Sequence, residues 1–194
     1  MGTETGSQEA TGRTAGLMAA SYVLIFLSPI VSILLTLGPV RWAQELLFNA
    51  RGQQETDLLF YPDIVQTAAN LFAIAVLTVG LVMFTVCVYL NGEAPLTVKK
   101  FGGERGMVVL SSLLVLWGTI TAFAGLFMYG FLLDWAGDPA KRAISIWEYM
   151  EYGTWMLKGV LWAVSGFLLI RAFKPRLSVD IRNWLFRDNA PAKI

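Results

Sequence analysis

Met107 to Leu133 reads MVVLSSLLVLWGTITAFAGLFMYGFLL, without one charged side chain. A helix of that length extends about 40 Å at 1.5 Å per residue, more than the roughly 30 Å hydrocarbon core of a bilayer. Runs of the same kind lie at 17–37, 64–90 and 155–173. The four predict an all-α integral membrane protein, a bundle of four transmembrane helices forming a single domain over residues 1–194. The segments between the runs are too short to bury a core of their own, so no soluble catalytic domain is expected. With 56% of residues hydrophobic and only 15% charged, the composition belongs to a membrane chain.

The positions of the charges predict the orientation. Arg13, the middle-loop residues Lys99, Lys100 and Arg105, and Arg171, Lys174, Arg176, Arg182, Arg187 and Lys193 near the C-terminus fall on one side of a four-span chain. The other two loops hold only Arg41, Arg51, Lys141 and Arg142. Basic residues collect on the cytoplasmic side of short loops, so both termini are expected in the cytoplasm. The first span reads as an uncleaved anchor, being longer than a signal-peptide core and not followed by an A-x-A-like site. The plasma membrane, of bacterial inner-membrane type, is the expected location. Net charge is +1 and the basic residues are dispersed, which gives no strip for nucleic acid.

Two residue counts narrow the chemistry. Cys87 is the single cysteine, which rules out an internal disulfide or a paired-cysteine redox site. Histidine is absent, so bis-histidine haem, histidine-ligated copper or iron, and Ser-His-Asp hydrolysis all lack their imidazole. No metal site and no cofactor are expected. No nucleophile is paired with a base, and the sequence favours a protein that is not an enzyme.

Along the chain, Ser28-Pro29 interrupts the first run and predicts a kink, with Ser28 or a neighbouring helix taking the carbonyl that Pro29 leaves unpaired. Gly38-Pro39 reads as the end of that span, leading to an external loop in which Arg41–Ala50 forms an interfacial helix bearing Trp42, Leu46 and Leu47. Parallels between the halves, such as Gly38 with Trp42-Ala43 against Gly130 with Trp135-Ala136, are consistent with a tandem repeat of two-helix units. In the third run, Ser111, Gly118, Ala122 and Gly125 recur at helical spacing and predict a packing face. Its natural partner is a helix of the same bundle, and a second chain is the alternative. After Pro175, residues 176–188 read as a cytoplasmic amphipathic tail in which Arg176, Arg182 and Arg187 face anionic lipid.

Polar groups gather at the expected external end. Asp63, Gln66 and Asn70 share one face of the second helix; Glu148, Glu151 and Lys158 share a stripe of the fourth with Trp155 and Trp162. A lysine inside an apolar run needs a partner or a route to water. Either Lys158 snorkels outward beside Glu151, or the two stripes join as an external polar vestibule with Lys158 as its counter-charge and tryptophan walls. The function expected from these residues is that of a non-catalytic membrane subunit or scaffold associated with a larger inner-membrane complex. The alternative is a small oligomeric channel or transporter. The expected partners are the lipid bilayer and other membrane subunits or further copies of the chain.

Overall fold

The computed structural model of the chain describes residues 4–50, 61–97, 102–137 and 145–173. The basic tail 176–188, with Arg176, Arg182 and Arg187, lies outside the described residues. Five helices follow one another: α1 (Glu4–Leu35), α2 (Arg41–Ala50), α3 (Tyr61–Thr85), α4 (Gly103–Ala136) and α5 (Ile146–Phe173). A π turn, Thr36–Val40, joins α1 to α2, and another, Val86–Leu90, extends α3. No strand occurs among the described residues. Four stretches are long and apolar enough to cross a membrane, namely Thr14–Leu46, Pro62–Leu90, Gly103–Ala136 and Ile146–Phe173.

These helices outrun the apolar runs that announce them, because the apolar run marks hydrocarbon depth whereas a helix continues until its backbone is stopped. α4 starts several residues before Met107, just after Gly102, whose φ of +82° is a left-handed conformation suited to glycine. α5 starts two turns before Trp155, where Ser145 and Glu148 form a reciprocal capping box. The Ser145 amide donates to Glu148 Oε2 at 2.9 Å, and the Glu148 amide donates to Ser145 Oγ at 3.3 Å.

Helical geometry does not break at Gly38-Pro39. Pro39 has no N–H to give to the carbonyl four residues back, and the chain takes the wider π turn instead, in which the Arg41 amide reaches the Thr36 carbonyl. Helical geometry thus runs from α1 straight into α2. α1 is also uninterrupted at Pro29. The carbonyl deprived of its partner there is that of Ile25, and Ser28 Oγ donates to it at 2.9 Å.

Large apolar residues point outward on every long helix, among them Leu34, Phe72, Phe123 and Phe127, while Ser21, Ser28, Ser32, Asn70, Lys158 and Ser165 are buried. Such an arrangement suits a surrounding of lipid tails, where polar groups must find partners inside the protein. α1 packs on α3, α3 on α5, and α5 most extensively on α4, whereas α1 and α4 have no comparable contact. The row curls so that α1 and α4 face each other across a groove. Tyr22, in the first third of the apolar stretch Thr14–Leu46, and Phe173 at the end of α5 have ring centres 6.2 Å apart, which puts the start of that stretch and the end of α5 at the same end of the bundle.

The packing face of α4 meets α5 of the same chain. A Cβ added at Gly118 would lie 2.6 Å from the Gly159 carbonyl oxygen, one at Gly125 2.7 Å from the Met156 amide, and one at Gly166 2.6 Å from the Ser111 carbonyl oxygen. Ala122 meets Gly159 in the same way. Backbone touches backbone along this seam, the geometry that small residues allow in lipid. The face is therefore occupied within the chain and is not a surface held ready for a second protein.

Candidate functional site

At the end of the bundle opposite Tyr22 and Phe173, a cavity of about 490 Å³ lies among the C-terminal part of α1, α2 and the facing turns of α3, α4 and α5. Ser32 of α1, Thr36 of the first π turn, Gln44 of α2, Gln66 of α3, Thr121 of α4, and Glu151 and Lys158 of α5 supply its polar wall. Trp117, Trp155 and Trp162 supply aromatic surface.

Lys158 does not snorkel outward. It is 2% exposed, and its Nζ donates to Ser32 Oγ at 2.7 Å and to Asn70 Oδ1 at 2.6 Å. It also stands 5.3 Å from the centre of the Trp162 ring, within cation–π range. An ammonium has three N–H donors; among the described residues two of them have acceptors. Burial is tolerable because short charge-assisted hydrogen bonds and a ring face replace water.

Asn70 is the hub. Its Oδ1 accepts from Lys158 and from Gln66 Nε2 at 3.1 Å, and its Nδ2 donates to Thr154 Oγ1 at 3.2 Å and, more weakly, to the Glu151 carbonyl at 3.5 Å. The lysine fixes the amide's orientation, since only the oxygen can accept from it. Asn70 thereby ties α3 to α5, and through Lys158 and Ser32 to α1.

The floor is built from the proline. Pro29 orphans the Ile25 carbonyl, Ser28 satisfies it, and the same Ser28 oxygen accepts from Trp162 Nε1 at 2.7 Å. That bond sets the indole under Lys158. Beyond Trp162 the interior is mostly apolar: Ile25, Leu77, Phe84, Met107, Leu114, Leu169 and Phe173 fill it, and the buried hydroxyls of Ser21, Ser111 and Ser165 are each bonded to a carbonyl of their own helix. The polar cavity is closed at that end.

Of the residues singled out from sequence, Gln66, Asn70, Glu151 and Lys158 come together here. Asp63 faces Glu151 across the α3–α5 seam. Glu148 stands apart from the cavity wall, its carboxylate engaged in the cap of α5; the Ser145-x-x-Glu148 spacing was the signal for that role. Ser32 and Thr154 were missed. Ser21, Ser28 and Ser32 recur at intervals of seven and four, which marks one buried face of α1. Thr154 had no comparable signal, because a single hydroxyl in a helix satisfies itself on the preceding turn, as Thr154 does with the Glu151 carbonyl at 2.9 Å.

Among the described residues no cluster of His, Cys, Asp and Glu has the make-up of a metal site. No protein-family model, curated protein or solved structure matches this chain.

Proposed function

We propose that the protein is a non-catalytic multi-pass subunit or scaffold of a larger inner-membrane assembly, inserted with both termini in the cytoplasm. In that orientation the polar cavity opens toward the outer face of the membrane. The reading is supported above all by the cavity's apolar inner end: a polar wall that stops at Trp162 and a mostly apolar core suits holding something in place better than passing it through. The outward face of α4 and the shallow groove it forms with α5, lined by Phe123, Leu126 and Val160, offer a partner helix an apolar surface. A duplication of two-helix units, as the sequence halves suggest, accords with the hairpin pairing of α1 with α3 and of α4 with α5.

The second reading is a small oligomeric channel or transporter, favoured by the cavity itself. Its path would have to run between protomers. Native mass spectrometry of the tagged protein, extracted from its own host in mild detergent, separates the two. We expect stoichiometric foreign subunits. A symmetric homo-oligomer without them would favour the channel.

A further inference from the structure

The polar cavity does not stand alone. Directly beside it, between α1 and α4, runs an apolar groove of about 240 Å³ bordered by Phe26, Pro29 and Ile30 on one side and Leu110, Leu113 and Leu114 on the other. Ile33 and Trp117 border both spaces, so the two are contiguous. The groove lies where α1 and α4 face each other without close packing, and the residues flanking it, such as Ile30, Leu113 and Trp117, are about half exposed. A polar chamber thus opens sideways, along an apolar channel, onto the surface that faces lipid.

The polar chamber places a basic and an acidic side chain on one wall. Its wall carries Lys158, with one N–H left without an acceptor among the described residues, and Glu151. A simple anion would satisfy the lysine and oppose the glutamate; a simple cation would do the reverse. A headgroup carrying phosphate and ammonium together complements both. The chamber volume falls within the usual range for small-ligand sites, about 300–1,000 Å³, and its tryptophans offer faces to an ammonium and its methylenes.

We infer that this site holds one zwitterionic phospholipid, its phosphate at Lys158, its ammonium at Glu151, and an acyl chain lying in the α1/α4 groove. The lipid enters laterally from the leaflet rather than from water. The inference rests on the reading of the cavity as a holding site rather than a path across the membrane and is independent of whether foreign subunits are present.

The test is lipid titration of the purified, delipidated full chain, read by native mass spectrometry. The subunit composition is recorded before titration, so failure of the assembly reading registers separately. Phosphatidylethanolamine should be retained at one per chain, at least tenfold more tightly than phosphatidylglycerol of the same acyl composition. Ile33→Trp, which fills the shared border at an outward position, should lower retention about tenfold without loss of folded protein. Glu151→Gln should shrink the preference between the two lipids to less than threefold. Equal retention of both lipids by the native chain, a preference for phosphatidylglycerol, or retention unaffected by Ile33→Trp would overturn the proposal. So would competition by water-soluble glycerophosphoethanolamine at the same concentration as the lipid, which would show that the acyl chain contributes nothing.

Discussion

On its α4 side, α5 presents Gly159 and Gly166 and touches backbone; on its α1 and α3 side it presents Lys158 and Trp162 and touches hydroxyls and an amide. Two adjacent residues, Lys158 and Gly159, therefore face seams built by opposite means. The glycine seam relies on closeness, with many small dispersion contacts and no room for a methyl group. The polar seam relies on directed bonds, leaves space beside them, and keeps a cavity open. The comparison teaches that this bundle uses its tightest packing to hold one pair of helices and its hydrogen bonds to hold a pair apart.

The sharpest way to break that contrast is to add volume to the tight seam. Gly159→Leu forces a side chain into the Ala122 and Gly118 backbone and should cost on the order of 3 kcal/mol or more of bundle stability. Thermal unfolding in detergent, or loss of folded yield, reads it. A variant that melts like the native chain would mean that α4 and α5 are not in backbone contact.

Removing a partner should break the polar seam instead. Asn70→Leu leaves the buried Lys158 cation with Ser32 as its remaining hydrogen-bond acceptor, and is expected to destabilise by about 2–4 kcal/mol. Adding Lys158→Met to that variant should recover part of the loss, because it removes the stranded charge. The double-mutant cycle measures the coupling, and strict additivity would place Asn70 and Lys158 outside one network.

A milder cut sharpens the picture. Trp162→Phe keeps most of the ring's bulk and loses its bond to Ser28, for an expected cost of about 1 kcal/mol, near the usual value for a hydrogen bond between membrane helices. A much larger loss would show that the indole also carries the position of Lys158. The smallest effect is expected at Gly130, where an added Cβ meets nothing within 4 Å. Gly130→Leu should change stability by no more than about 1 kcal/mol and in the favourable direction, since leucine is the better helix former. Comparison of Gly130→Leu with Gly159→Leu isolates packing from propensity within the same two helices.

Legibility in the sequence varied with how local the cause was. The α4 face showed itself as Ser111, Gly118, Ala122 and Gly125 because small residues recur with the helix period. Its counterpart on α5, Gly159 with Gly166, was hidden among Lys158, Trp162 and Ser165, which belong to other faces. The polar stripe Gln66–Asn70 was readable for the same periodic reason. That Asn70 would accept from Lys158, rather than Lys158 reaching out to Glu151, depends on how α3 and α5 are rotated against each other. Gly38-Pro39 marks the end of the apolar run in sequence, yet helical geometry continues through the π turn Thr36–Val40, because a wider turn accommodates the proline's missing donor.

The sequence by itself determined that the chain has four helices long and apolar enough to cross a membrane, that α4 has a close-packing face, and that polar groups gather near one end. Those properties follow from composition and from a period of 3.6 residues, both written along a single strand of chain. Tertiary structure alone decided that α4 spends its small residues on α5, that Lys158 is buried on Ser32, Asn70 and Trp162, and that α1 and α4 stay apart around a cavity. These are relations between helices distant in sequence, fixed by which faces exclude one another at contact distance, and no local pattern encodes them.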